Sequence, residues 1–557
     1  MNFNNYLKNL SSSRFHQIIS IIFFIFFFII GLSIYKDFGL SADEPFQRSI
    51  GYFWYIYLLE FFSINIELVD QVKKKFELMY WSDYIKEGNL TQYGVFFETF
   101  ASLVEEIFKI ENSQKSFYFK HLLTFCFFFL SSIFFYKIIR ERYNNTLYSI
   151  LITFFFLSSP RIFAEAFYNC KDIVFMSFCV FSLYFAVKNF DDLNYKNLFL
   201  FSLFTALATN VRIMGIILFF LFFIFLLLNC LEEKNFLRKN IRKIIFLLFS
   251  FPVLIYVFWP FLWNAPLDNF IFTIKSFTNF NWSGQGILYL GTYHKASNLP
   301  WHYIPVWIIA TTPIILTLFF LIGFSYISIN FFNKFLNLSE TNKLWTSSKE
   351  KKDLFVFLFF LTPIFLVVFL NSTLYGGWRH LYFIYPSFIY IASIGITFLL
   401  QKERILKIKN IIYTLIVFLL LNNFYNLIKF HPYQNVYFNY FFEKNANKLF
   451  EVDYWGLGNA EALRFLSEKK YTGKKINIKV SSYTPLEYSK LILKSAKKNV
   501  FSSMITTDKG QKFIFSNYVY ERNPNYEKKY LIPSSYSKIY TLKRGNIVIN
   551  EIFKKIK

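Results

Sequence analysis

Apolar runs of about twenty residues recur along this chain from its first fifth almost to residue 430, and that recurrence constrains the fold more than any other feature. One such run could be a buried core helix, but a series of them exceeds what a soluble core can absorb. Hydropathy predicts about eleven spans, near 17–35, 117–139, 146–159, 173–187, 197–212, 213–231, 244–263, 303–324, 354–371, 381–400 and 410–430. The first run follows a short basic leader containing Lys8 and Arg14, with no small-residue cleavage site after it, so it reads as a retained helix. The expected fold class is therefore an all-α polytopic membrane protein.

Charge distribution orients the chain. Of 557 residues, 60 are Lys or Arg and 35 Asp or Glu, giving a formal net charge of +25. Such a balance can indicate nucleic acid, but here the basic residues sit in short loops and in the tail, so no nucleic-acid partner is expected. Lys137, Arg140 and Arg142, then Lys188 and Lys196, then Lys234 to Lys243, then Lys349, Lys351 and Lys352, then Lys402, Arg404, Lys407 and Lys409 all fall on one side. By the positive-inside rule that side, with the N-terminus, is cytoplasmic. An odd span count then places the tail outside, together with segments 36–116, 160–172, 264–302 and 372–380. Within 36–116 the pieces Ser49–Phe62 and Thr91–Ile110 read as amphipathic helices at the interface.

Two domains are expected: a membrane domain over 1–430 and a small extracytoplasmic α/β domain over 431–557. The tail loses membrane-length runs and holds 23 basic residues against 10 acidic. That balance suits anionic headgroups or an acidic acceptor, and equally suits a solvated basic surface. Lys475–Val480 and Lys512–Phe515 alternate like strands, and Lys538–Ile552 reads as strand, turn and strand around Arg544-Gly545-Asn546. The abundance of Phe, 80 residues, is a chain-wide drift that leaves single aromatics uninformative. Cys126, Cys170, Cys179 and Cys230 match neither a metal-ligand spacing nor a disulfide framework.

The residues that suit chemistry gather in the outer segments. Asp43 and Glu44, in Ser41-Ala42-Asp43-Glu44-Pro45, follow the first span by about a turn; one carboxylate could take a proton from a hydroxyl while its neighbour orients it or holds a metal. The same residues also make a good helix start. A second cluster runs from Arg161 and Glu165 to Asn169-Cys170-Lys171-Asp172. Asp172 opens a span, where the helix dipole favours a carboxylate, and Lys171 offers a cation at the same height. Arg212 lies at a turn between two apolar runs, where an arginine is costly unless it is paired or faces an anionic ligand. Gly376-Gly377-Trp378-Arg379-His380 and Trp301-His302-Tyr303 open two further spans, with Arg379 and His380 supplying donors suited to phosphate. Acids from two loops and cations from three suit an enzyme acting on a lipid-linked phosphate.

With those residues in view, the order of motifs resembles the GT-C glycosyltransferases, in particular the protein O-mannosyltransferase and lipid A aminoarabinose transferase group. The resemblance rests on Asp43-Glu44 after the first span, an acid opening the fourth and a basic residue after the fifth. It extends to Gly286 to Gly291, Pro300 to Pro305, Thr311-Thr312-Pro313 and Asp453-Tyr454-Trp455-Gly456-Leu457. It implies a bacterial inner-membrane enzyme that moves a hexosyl or pentosyl group from a polyprenyl-phosphate-linked donor to a hydroxyl of a glycolipid, polysaccharide or protein acceptor, with inversion. By the same resemblance Asp43 is the base, Glu44 its neighbour, Asp172 the second acid and Arg212 a donor-phosphate contact. Lys171, Arg379, His380 and His302 join as substrate contacts on the charge argument, and a divalent metal near Asp43, Glu44 or His302 is left open. The alternatives are a flippase or transporter of lipid-linked saccharides, which would be expected to show internal repeats, and a surface-polysaccharide polymerase or ligase.

Overall fold

The computed structural model describes residues 3–278, 286–338, 344–401, 406–468, 476–494, 501–505 and 511–556. Lys402, Arg404 and Lys475 of the loop and strand expectations lie outside them. Among the described residues, nine helices are long and apolar enough to cross a bilayer. The count is ten if Thr146–Leu157 (α7) and Pro160–Tyr168 (α8), bent by 67° at Ser158-Ser159, form one broken span. The expected eleventh, at 197–212, is a helix of 17 residues, Tyr195–Val211 (α10), packed lengthwise between Asp172–Asp191 (α9) and Phe236–Phe258 (α12). The span expected at 303–324 is displaced. Pro313 separates a short helix, Tyr303–Thr311 (α14), from the long one, Ile314–Leu336 (α15), because proline cannot donate to the ladder of the preceding turn.

Two charge clusters mark opposite ends of the bundle. Along α9 they are about 28 Å apart at 1.5 Å per residue, close to the thickness of a hydrocarbon core. At the far end Asp353, in the first turns of Ser348–Phe369 (α16), accepts from Arg142 Nε and Nη2 at 2.7 and 2.8 Å and from the Tyr390 hydroxyl at 2.7 Å. Lys352 donates to Glu141 at 2.7 Å and to Asp191, and Lys351 donates to Asn229. The sequence reading put Lys351 and Lys352 in a loop. Ser347 instead caps the helix through the Glu350 amide, so both lysines lie inside it and are buried. Elsewhere α15 and Tyr385–Gln401 (α17) approach so closely that a Cβ on Gly323 or Gly395 would lie 2.0 Å from a backbone oxygen of the partner helix.

Segment 36–116 folds into four helices, Glu44–Phe61 (α2), Ile66–Glu77 (α3), Ser82–Lys86 (α4) and Phe96–Ile107 (α5); the first three share an apolar core of their own, while Phe97 of α5 packs into that of the helical body. Polar ties also hold it: Arg48 pairs with Glu105 through two bonds of 3.1 and 2.5 Å, and the Tyr52 hydroxyl and Lys75 both donate to Glu106. In the tail, the strands Ile476–Val480 (β3), Phe501–Ile505 (β4), Phe513–Ser516 (β5), Tyr536–Arg544 (β6) and Ile547–Lys555 (β7) form one sheet in the order β4-β3-β5-β7-β6. The β6–β7 hairpin turns at Gly545, whose positive φ of 54° suits a residue without a Cβ. Residues 433–457, with Leu542, Ile547 and Ile549 of the hairpin, pack into the core of the helical body, while Ala462, Leu463, Leu466, the strands β3 to β5 and Ile552 build a second, smaller core.

Candidate active site

Asp43 is the residue before α2, and Pro45 sets the first turn of that helix. Its turn is tied down on three sides. The Ala42 amide donates to the Trp455 carbonyl at 3.0 Å, the Ser41 hydroxyl to the Tyr168 carbonyl at 3.3 Å, and the Ser41 amide to Glu44 Oε2 at 2.7 Å. The Asp43 carboxylate itself is 42% exposed, with Oδ2 3.7 Å from Arg379 Nη1.

Behind it lies a triad in which Asp172 and Arg379 are buried and Arg212 is half-buried. Asp172 accepts from Arg379 Nη1 at 3.0 Å and from Arg212 Nε at 2.6 Å, with Arg212 Nη2 as a further donor. Asn169 holds Asp172 from its own helix start: its Oδ1 accepts the Asp172 amide and its Nδ2 donates to Asp172 Oδ2 and to Glu165. Glu165 in turn accepts from the Tyr382 hydroxyl and the Trp455 indole. A hydrogen-bonded chain therefore runs from two aromatic walls to the two guanidiniums. Arg379 lies among the rings of Tyr375, Trp455 and Tyr454, with its guanidinium carbon 4.8, 4.7 and 5.4 Å from their centroids. Gly376, at φ +67°, lets the chain reach this position, since a Cβ there would meet Tyr454 and Arg379 at about 3 Å.

Lys171 is half-buried with its ammonium 3.7 Å above the Tyr93 ring. Burial first, and the Arg212 guanidinium second, bring it down to about 7. Its charge is thus poised to respond to an arriving anion. Three cations face two carboxylates here, so a protonated Lys171 leaves an excess of one positive charge. The wall carrying Tyr454 and Trp455 is set by Asp453, which accepts the Leu457 and Gly458 amides and the Asn435 side chain. Burial raises the Asp453 carboxyl to about 6.

The structure thus brings Asp43, Lys171, Asp172, Arg212 and Arg379 into one site. His380 is buried next to Arg379, edge-on to Tyr375 at 4.7 Å. Glu44 points away from the opening: it is fully buried, with Oε1 3.0 Å from His121 Nε2. His302 lies against the Tyr289 hydroxyl at 2.6 Å, at the base of the Gly286–Tyr289 and Thr292–Lys295 hairpin. Among the described residues no group of three His, Cys, Asp or Glu side chains is placed to hold a metal ion. Tyr93 and Tyr375 were not singled out from sequence. Asn169, within the second cluster, and Trp455, within the Asp453 to Leu457 likeness, were named there without a role.

The fold and site define a polytopic membrane protein with a half-open carboxylate set before a cluster of buried and half-buried cations. The model of the dolichyl-phosphate-mannose-protein mannosyltransferase family matches residues 96–262, a segment that supplies Asp172, Arg212 and their helices. Two solved structures align with nearly the whole length at 11% identity. One is ArnT from Cupriavidus metallidurans bound to undecaprenyl phosphate, with a TM-score of 0.43, covering 96% of this chain and 97% of that one. The other is the same protein in the apo state, with a TM-score of 0.43, covering 95% and 97%. No curated protein matches the chain.

Proposed function

We propose that this enzyme transfers a hexosyl or pentosyl group from a polyprenyl-phosphate-linked donor to an acceptor hydroxyl, on the extracytoplasmic face of a bacterial inner membrane, with inversion. The observation that carries this reading is the half-exposed Asp43 carboxylate standing before Arg379, Arg212 and Lys171. A hydroxyl entering at Asp43 gives up its proton to the carboxylate as its oxygen attacks the anomeric carbon. The bond from that carbon to the phosphate oxygen breaks on the opposite face. The departing polyprenyl phosphate is received by Lys171 and the exposed edge of Arg212, while Arg379 lies between the leaving phosphate and the base. Attack and departure on opposite faces give inversion. Asp172, itself held by Asn169, holds both guanidiniums and so serves as an orienting anion.

The donor class also agrees with the family description, which names a dolichyl-phosphate sugar. The acceptor is a glycolipid, polysaccharide or protein hydroxyl. Transfer of labelled sugar from a polyprenyl-phosphate donor pool, in membranes carrying the wild type or Asp43→Asn, tests the reading. Loss of transfer in the variant at equal expression is expected. Equal transfer in both would remove Asp43 from the chemistry. No transfer in either, with lipid-linked sugar still changing leaflet, would favour a flippase.

A further inference from the structure

We propose that Glu44 and His121 form a buried brace that positions Asp43 without touching substrate, so that the second carboxylate of the Asp43-Glu44 pair is a positioning residue for the reaction proposed above, on which this inference rests. Both side chains are fully buried, so neither can meet an acceptor or a donor. His121, on the helix Ser113–Tyr143 (α6), has Nδ1 3.2 Å from the Tyr35 carbonyl at the end of the helix Phe3–Ile34 (α1). A carbonyl only accepts, so Nδ1 carries a hydrogen. On the other side of the ring Nε2 lies 3.0 Å from Glu44 Oε1, angled off the line of an ideal hydrogen bond.

With Nδ1 committed, that contact is attractive only if the two groups share one more proton, as imidazolium against carboxylate or as imidazole against carboxyl. Either way the pair is neutral overall, which is what burial at this depth favours. The other oxygen of Glu44 accepts the Ser41 amide at 2.7 Å. The brace therefore ties the end of α1, one face of α6 and the Ser41 to Glu44 turn together, with Asp43 inside that turn. Among the described residues Lys120, whose charge also acts on Glu44, is occupied with Glu98 in a buried ion pair, and His121 is the ionisable partner in direct contact with Glu44. The carboxylate of Asp43 points the other way, into the cleft with Arg379, because neighbouring side chains at a helix start diverge by about 100°.

The test uses full-length enzyme in nanodiscs with a polyprenyl-phosphate-sugar donor, and compares E44L/H121L, E44A and E44Q with D43N. Replacing both partners by apolar groups leaves no unpaired charge, so the double variant is the one expected to fold. Its kcat is expected to fall about 10- to 100-fold with donor KM changed less than about threefold, the signature of a displaced base. Hydrogen exchange of the Ser41 amide, read in the 38–46 segment, is expected to quicken by about tenfold or more. E44Q keeps an acceptor for the Ser41 amide and a donor for a neutral His121, and is expected to restore both readings.

Wild-type kcat and unchanged exchange in the double variant would overturn the proposal. So would a loss in E44Q as deep as that of D43N, which would make Glu44 a participant in the chemistry. Should the double variant not accumulate, E44A against E44Q gives the same contrast. Wild-type enzyme that transfers nothing from such donors would sink the donor assignment, and the exchange measurement would still decide the brace.

Discussion

Replacing Asp172 by asparagine separates what holds this site together from what reacts in it. Asp172 is 1% exposed and lies between two guanidiniums, accepting from Arg212 at 2.6 Å and from Arg379 at 3.0 Å. The asparagine side chain keeps the shape and one acceptor oxygen but removes the only anion in direct contact with Arg212 among the described residues. Breaking one partner of a buried ion pair costs about 3–5 kcal/mol, and the retained oxygen puts this case near the lower end, about 3 kcal/mol. That is a factor of about 10² in the folded to unfolded ratio. Asp43 offers the opposite case, being 42% exposed and 3.7 Å from its nearest cation. Asp43→Asn is expected to leave stability unchanged and to lower kcat by about 10²- to 10⁴-fold, the range for losing the general base that the proposed reaction makes of it. The assay is denaturant unfolding of the purified protein in mild detergent beside labelled-sugar transfer, for both variants. Wild-type stability in D172N together with destabilisation in D43N would refute the division of roles argued here.

Lys171 carries its charge below pH 7 and loses it above, so donor KM is expected to rise as pH goes from 6 to 8, and Lys171→Met to flatten that rise; steady-state kinetics across that window check both. Burial pushes the Glu451 carboxyl up to about 8, so between pH 4.5 and 8 the unfolded chain ionises there while the folded one does not, and stability falls as pH rises. Glu451→Gln is expected to remove that slope and to gain about 3 kcal/mol at pH 7 with no gain at pH 4, read from unfolding curves at the two pH values. Asp353→Asn, at the far end, is expected to cost about 3 kcal/mol of stability by leaving Arg142 unpaired while donor KM stays at the wild-type value, which unfolding and transfer assays together would show. Gly395→Ala pushes a methyl against the Phe319 carbonyl and is expected to cost about 1–3 kcal/mol, visible as a lower melting temperature.

The membrane character, the position of most spans and the β6–β7 hairpin were legible in the sequence, because hydropathy, alternation and a glycine turn are local properties that survive any tertiary arrangement. The break at Pro313 was legible in principle too, yet an apolar window averages across it. Sequence also placed Asp43, Lys171, Asp172, Arg212 and Arg379 on one side, since each lies at the same end of its own span. Only the tertiary structure decided their partners. It turned Glu44 inward onto His121, 77 residues away, and set Asp172 between two arginines. It also brought Trp455 and Tyr454, from beyond the last span, against Arg379. Depth along a helix is written in the sequence by its rise per residue, whereas the direction a side chain faces across a bundle depends on how helices pack, and packing is a property of all of them at once.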